Sequence, residues 1–423
     1  MIATFTGQDT SGKLPKGWEW KSLEYLAEDT NRRNPKQKAP NQHFQYIDIS
    51  SINNQTGQIT NTQTLLGEQA PSRARKVVQA NDIIIATTRP YLRNIAIVPD
   101  SLDQAISSTG FCVLRVKQEI ALPKYVYYFC RSDFFTNQLI PKQRGANYPA
   151  VTDSDVFEAA IPVPHINDST KSLNVQRQIV ARIEALLAEV RSSRELLDEM
   201  RRDAERIMTV VLEKVFSDLE ETNIEPKLLD TLLLRKPQYG LSDKASESAI
   251  GTPILRMGNI TTDGKLSLDN LKYVELSAED EEKYLINQGD ILFNRTNSAE
   301  LVGKSAVFQE DIKAVFASYL IRVVLDPNKA NSKFITAYIN SPRGRAYIQS
   351  QLTRAIGQVN VNAQKLAGMP ILVPSVHAQE RIVAHIEVVQ HEVDEILETL
   401  DQDVKTLDLL EQSILERAFR GEL

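Results

Sequence analysis

Gln176-Arg-Gln-Ile-Val-Ala-Arg-Ile-Glu184 returns 203 residues later as Gln379-Glu-Arg-Ile-Val-Ala-His-Ile-Glu387. Each copy follows a proline-punctuated apolar segment, Ala160-Ile-Pro-Val-Pro164 in one case and Pro370-Ile-Leu-Val-Pro374 in the other. Working outward, Tyr46-Ile-Asp-Ile-Ser-Ser-Ile52 aligns with Ile254-Leu-Arg-Met-Gly-Asn-Ile260, and Asn81-Asp82-Ile-Ile-Ile85 with Gly289-Asp290-Ile-Leu-Phe293. Four blocks keep their order at nearly constant offset, which is a half-length duplication and not a short-period solenoid.

Downstream of both motifs the apolar residues advance in steps of three and four. One series runs from Ile179 through Ile183, Leu186, Val190, Leu197, Met200, Ala204, Ile207 and Val211; the other runs from Ile382 through Ile386, Val389, Val393, Ile396 and Leu400, slips near Asp403 and Val404, and resumes at Leu407, Leu410 and Ile414. This is the seam of a coiled coil, with the slip as a local stutter. About 40 residues at roughly 1.5 Å each make a helix of about 60 Å, too long to be covered by one small globule. Two such seams in head-to-tail halves are expected to bury each other antiparallel.

The rest of each half is mixed. β-Branched runs at Asp82–Ala86, Ile95–Val98, Phe111–Val116, Ile291–Phe293 and Tyr319–Leu325 read as strands, and Lys124–Arg131 and Ser332–Ile339 as helices. The fold class expected is α+β, with two duplicated α/β domains separated by two long helices pairing as an antiparallel coiled coil. The boundaries expected are 1–160 for the first domain, 161–216 for the central helix, 217–375 for the second domain and 376–423 for the last helix.

Composition narrows the class. With 423 residues, 42% hydrophobic and 25% charged, the chain is globular and too long for one domain. Its two cysteines offer no disulfide framework, and no apolar run approaches the roughly 20 residues that span a bilayer, so a cytoplasmic protein with no membrane partner is expected. The net charge of −6 is unevenly distributed: residues 1–150 carry 18 Lys and Arg against 12 Asp and Glu, residues 217–375 carry 18 against 19, and residues 376–423 carry 4 against 12. Because fields are screened within roughly 8 Å at physiological salt, a polyanion can bind locally to a chain that is acidic in sum.

Catalytic signatures are missing. Gly303-Lys304-Ser305 resembles the end of a phosphate loop, but Ser298 stands where its first glycine is required, and His391-Glu392 lacks a partner histidine. No catalytic residue, cofactor site or metal site is assigned. Instead, both halves place a polar loop after the aligned strand: Thr87, Thr88, Arg89, Tyr91, Arg93 and Asn94 in the first, and Asn294, Arg295, Thr296, Asn297, Ser298 and Lys304 in the second. A second loop precedes each proline segment, with Lys142, Arg144, Asn147 and Tyr148 in one copy and Arg354, Gln358 and Asn360 in the other. Arginine can address guanine bidentately, asparagine suits adenine, and hydroxyls and lysine suit phosphate. Arg73, Arg75 and Lys76 add a basic cluster for steering. These residues are the expected DNA contacts. A solvated hairpin is the ordinary alternative for any one loop, and recurrence in both halves argues against it.

Together these features resemble the specificity subunit of type I restriction-modification systems. Leu14-Pro-Lys-Gly-Trp18 with Leu23 resembles the opening of its target-recognition domains, Asp290-Ile-Leu-Phe-Asn-Arg295 its strand-loop motif, and Ala418-Phe-Arg-Gly-Glu-Leu423 its ending. The resemblance spans residues 14–423. It implies a non-catalytic chain that reads a split, asymmetric double-stranded DNA target, one half per domain, with the helices setting the gap and docking two modification subunits. S-adenosylmethionine would bind those methyltransferase subunits, and ATP and Mg the restriction subunits, with none of these cofactors on this chain. The loops differ between copies, Ala86-Thr-Thr-Arg-Pro90 against Asn294-Arg-Thr-Asn297, so the half-sites are expected to differ. A coiled-coil scaffold with two protein-binding globules and no DNA role is the competing reading.

Overall fold

The computed structural model describes residues 14–243, 245–355 and 358–423. They divide into two compact units: one holds the chain up to Leu197 together with Gln402–Leu423, and the other is Asp198–Asp401. Each long helix, Ser169–Glu220 and Val376–Arg420, therefore contributes its two ends to different units. Their 52 and 45 residues correspond to about 78 and 68 Å. The central helix starts later than the expected residue 161. Ala160–Pro164 is instead a strand paired antiparallel with Trp18–Ser22, because its prolines cannot continue a helix but are tolerated on the edge of a two-stranded ribbon.

The first unit is built around an antiparallel sheet in the order Ala27–Glu28, Phe111–Val116, Ile83–Ala86, Ile95–Ile97. The sheet is buried on both faces. Ile83 and Ile85 join the core beneath the helices, while Ile84 and Ala86 enter a separate cluster on the other side. That is why the strand reads as an unbroken apolar run and not as an alternation. A second sheet orders Gln63–Leu66, His43–Ile47, Ile106–Ser108 and Ala74–Val77, with its middle pair parallel. Helices Pro123–Arg131 and Asp133–Leu139 cover the first sheet.

The second unit repeats this plan. Leu233–Tyr239, Leu320–Leu325, Ile291–Asn294 and Ser305–Val307 form its main sheet, and Lys272–Val274, Thr252–Leu255 and Val315–Phe316 its second, again with one parallel pair. Helices Ser332–Asn340 and Pro342–Ser350 take the covering positions. Pro226–Leu228 pairs with Pro370–Leu372 as the small ribbon.

Duplicated residues do duplicated work. At the start of the central strand, Asp82 accepts two hydrogen bonds from Arg115 at 2.8 and 2.9 Å, and Asp290 faces Arg322 at 3.7 Å in a buried pair. Burial pushes the Asp290 carboxyl up and the Arg322 guanidinium down. The residue before each aspartate is left-handed, Asn81 at φ 69° and Gly289 at φ 88°, the backbone region that glycine and asparagine enter at least cost.

The repeated glutamine motif is a clamp. Gln176 is fully buried: its carbonyl accepts from Leu122 N, and its amide donates to Ile120 O and Ser172 Oγ, which fixes the N-terminus of helix Pro123–Arg131. Gln379 does the same for helix Ser332–Asn340, accepting from Asn331 N and donating to Lys329 O and Pro374 O. The glutamate at the other end of the motif pairs with the same helix, Glu184 with Lys124 at 2.6 Å and Glu387 with Lys333. These pairs are exposed and worth little energetically, but they set orientation.

The far ends of the long helices are seated by aromatic rings. In the first unit Phe419 is buried edge-on against Tyr125 and Phe129, with centroids 5.1 and 5.2 Å apart. In the second, Phe216 meets Phe334 and Tyr338 at 5.6 and 5.0 Å. Between these seats the pairing is antiparallel within each unit: Arg194 bonds Asp408 in the first, and Arg201 bonds Asp401 in the second. The expected seam is occupied at Ile179, Ile183, Val190, Ala204, Val393, Leu400 and Ile414, but Met200, Ile396 and Leu410 are exposed, since a two-helix contact covers only a narrow stripe. Among the described residues no helix is long and apolar enough to cross a membrane.

Truncating either ring should destabilise its own unit. Phe419→Ala and Phe216→Ala are each expected to cost about 3–5 kcal/mol. Hydrogen exchange read by mass spectrometry should show faster exchange in Pro123–Arg131 for the first variant and in Ser332–Asn340 for the second.

Candidate nucleic-acid interface

The two polar loops of each half, far apart in sequence, meet in one small ladder. In the second unit Thr296–Asn297, Gln358–Asn360 and Thr353–Ala355 form a three-stranded antiparallel sheet, with Thr296 opposite Asn360, Asn297 opposite Val359 and Arg354 opposite Val359. In the first unit the same arrangement is reduced to bridges: Ala150 pairs with both Thr88 and Arg144, and Arg89 N donates to Pro149 O at 2.7 Å. The ladder grows directly from the end of the buried central strand, so its backbone is held by the core; Val359 packs against that core, Thr296, Asn297 and Asn360 are half-buried and Gln358 is exposed. Ile356 and Gly357 of the second loop lie outside the described residues.

Each ladder is anchored from the short helix that follows it, by different chemistry. In the first unit Asp155 accepts from Arg144 Nη1 at 2.7 Å and from Thr152 N and Oγ1 at 2.8 and 2.7 Å, closing a capping box on helix Asp153–Phe157. The Arg144 guanidinium and the Thr152 amide hold the Asp155 carboxyl well below the usual carboxylate range. Lys142 pairs with Glu158 at 2.8 Å and lowers it in the same way. In the second unit the polarity is inverted: Lys365 donates to Gln351 O and Thr353 Oγ1, both at 2.7 Å, and Asn362 caps its helix.

Several expected DNA contacts prove to be internal. Lys76 is buried, bonded to Phe111 O at 2.5 Å and paired with Asp153, so of the cluster Arg73, Arg75 and Lys76 only Arg73 is exposed and Arg75 half-buried. Lys76 reads as surface in the sequence because nothing there reveals the carboxylate 77 residues away. Thr87 is buried with its hydroxyl on Gly110 O, just past the end of strand Ile83–Ala86, and Asn294, the last residue of strand Ile291–Asn294, is fully buried with its amide toward Leu301 O. Lys304 reaches inward to Ile260 O at 2.5 Å, and burial lowers its ammonium.

The remaining residues divide by accessibility and partner. Arg93 is ion-paired to Asp133, and Asn94 is half-buried, its carbonyl accepting from Ala86 N. Tyr91, Asn147, Tyr148, Ser298 and Gln358 are exposed, and Thr88, Arg89, Arg295, Thr296, Asn297 and Asn360 half-buried along the ladders. Arg89 and Arg93 are both left-handed, at φ 50° and 52°, flanking the turn Pro90–Leu92, a backbone cost of the kind that accumulates at binding sites. The sequence reading missed Tyr239 and Tyr319, which lie beside Arg295 and expose 41% and 47% of their surface. Their signal was faint, a lone tyrosine closing strand Leu233–Tyr239 and another just before strand Leu320–Leu325. Among the described residues no group of three His, Cys, Asp or Glu is placed to hold a metal ion.

This geometry suits extended recognition of a polar ligand by side-chain edges. It agrees with what the chain is similar to. The family model described as type I restriction modification DNA specificity domain matches residues 15–202 and again 237–406. The StySPI specificity subunit of Salmonella potsdam is 26% identical across 97% of this chain and 90% of its own length, and the EcoKI specificity subunit of Escherichia coli K12 is 24% identical across 98% and 91%. A chain solved in work on complex assembly and conformational transition of the type I restriction-modification system is 31% identical, with a TM-score of 0.76 over 97% of this chain and 100% of that one. The HsdS subunit from Thermoanaerobacter tengcongensis is 32% identical, with a TM-score of 0.55 over 99% and 100%. These likenesses do not favour a scaffold without a DNA role. The chain belongs to the DNA specificity subunits of type I restriction-modification systems and is the sequence-recognising component of such a complex.

Proposed function

We propose that each unit reads one half of a split, asymmetric duplex target through its ladder, and that the two halves differ in sequence. The observation that carries this reading is the repetition of one ladder architecture with different side chains on it: Thr88, Arg89, Asn147 and Tyr148 in one unit, and Arg295, Thr296, Asn297, Gln358 and Asn360 in the other. Similar scaffolding with different base-addressing groups is what two unlike half-sites require. The exposed apolar residues of the long helices, including Leu196, Met200, Val388 and Leu409, suit docking of two modification subunits. On this reading methyl transfer from S-adenosylmethionine belongs to those modification subunits, and ATP- and Mg-dependent steps to restriction subunits. This chain supplies geometry: it grips phosphates, reads base edges and presents the adenine to a partner that flips it out.

Comparing N6-methyladenine maps of host DNA with and without this chain tests the proposal. A single split motif should disappear on deletion, and an unchanged map in cells that express the complex would refute it. The ladder anchor gives a second test. Asp155→Ala should raise hydrogen exchange at the mutually bonded Arg144 and Ala150 amides by about tenfold, and weaken methylation through one half-site only. Because the Asp155 carboxyl is depressed in the folded chain, its stabilising contribution is fully present above the unfolded value of about 4 and is lost only as the pH falls through the lower folded value. Exchange at Ala150 should therefore stay protected at pH 5.

A further inference from the structure

Each ladder carries one guanidinium over a tyrosine ring. Arg89 Cζ is 4.8 Å from the ring centroid of Tyr148, and Arg295 Cζ is 4.8 Å from that of Tyr239. These pairs are not a copy of one another. Arg89 aligns with Asn297, Arg295 aligns with Thr87, and the tyrosines come from different elements: Tyr148 from the second loop, Tyr239 from the end of strand Leu233–Tyr239. The two units reach the same stacked arrangement by different routes.

Six other cations near the ladders are already committed. Arg93, Lys142 and Arg144 are matched by Asp133, Glu158 and Asp155, and Lys304, Arg345 and Lys365 donate to backbone carbonyls. Arg89 has no side-chain hydrogen bond to any described residue, and Arg295 has one long one, Nη1 to Ser318 O at 3.4 Å. In both, Nε is buried without an acceptor. With Nε buried and Cζ over the ring, what remains for a ligand is the edge bearing the Nη groups, of which only Arg295 Nη1 has the long contact to Ser318 O.

A planar fork held over a ring can clasp a phosphate bidentately, and it can equally read a base edge. It fits the O6 and N7 acceptors on the major-groove edge of guanine, where two parallel N–H groups must arrive in the base plane. Asn297, Thr296 and Asn360 beside Arg295, and Thr88 and Asn147 beside Arg89, are groups of the kind that address neighbouring bases. Tyr239 is itself tied down, its hydroxyl accepting from Ala363 N at 2.9 Å, whereas Tyr148 is 69% exposed and rests on a loop.

We propose that Arg89 and Arg295 each read a guanine, one in each half-site, and that Tyr148 and Tyr239 are the positioning residues that hold the two forks in the base plane. This rests on the split-target reading above. The test replaces the host's own copy with Arg295→Lys, Tyr239→Ala or Tyr239→Phe, and with Arg89→Lys or Tyr148→Ala, and maps N6-methyladenine in each strain. Wild type should show a guanine in both halves of its motif. Arg295→Lys and Tyr239→Ala should lower discrimination at one guanine by about tenfold or more, leaving the other half intact; Arg89→Lys and Tyr148→Ala should do this in the opposite half, and Tyr239→Phe, which keeps the ring, should retain the motif. A motif lacking guanine in either half overturns the proposal, as does an unchanged motif in Arg295→Lys. Methylation that falls evenly at all sites with the motif unaltered makes the arginines backbone anchors, and equal loss in Tyr239→Ala and Tyr239→Phe makes the ring structural; either result overturns it too. Absence of any split motif in wild type instead defeats the underlying reading, and is seen before any variant is made.

Discussion

Seating of the two long helices on the globular cores is the constraint from which the rest follows. A helix of 45 or 52 residues with a narrow apolar stripe cannot hold its position by that stripe alone. Here each end is fixed by a different device. The N-terminal end is locked by a buried glutamine, Gln176 or Gln379, whose amide and carbonyl satisfy backbone groups of the adjoining globule. The C-terminal end is locked by a phenylalanine, Phe216 or Phe419, inserted edge-on among aromatic rings. Polar satisfaction sets direction at one end, and apolar burial supplies energy at the other.

The ladders depend on the same economy of support. Their roots lie in strands Ile83–Ala86 and Ile291–Asn294, buried on both faces and tied at their base by Asp82 with Arg115 and Asp290 with Arg322. Because the base is buried and paired within the core, the loops above it can change composition without disturbing the core. The inverted anchors show this freedom: Asp155 holds an arginine in one unit, and Lys365 holds a carbonyl and a hydroxyl in the other. A fold that keeps its scaffold and varies its ladder suits a protein whose work is to tell DNA sequences apart.

Much of this was legible before folding. The duplication, the strand-loop blocks, the helical seams and the α+β class follow from periodicities that survive in one dimension, since a period of two or of three and four is a property of neighbours in sequence. The repeat between Leu212-Glu-Lys-Val-Phe216 and Leu415-Glu-Arg-Ala-Phe419, at the same offset of 203 as the glutamine motif, was equally visible and went unread, because each phenylalanine breaks the seam pattern instead of continuing it. What failed was the sorting of polar residues. Lys76, Thr87, Asn294 and Lys304 look like surface groups; Lys76, Thr87 and Lys304 are turned inward by partners distant in sequence, and Asn294 by the carbonyl of Leu301 across its own hairpin.

The sequence by itself determined that this chain has two similar halves, each with a buried strand opening into a polar loop and a long helix to follow. Only the tertiary structure decided which polar groups face a ligand, because a side chain's availability depends on whether folding brings it a carboxylate, a carbonyl or an aromatic face. Lys76 met Asp153, and Arg89 and Arg295 met Tyr148 and Tyr239. Those pairings are set by the closure of strands far apart in the chain, and no local pattern of residues records them.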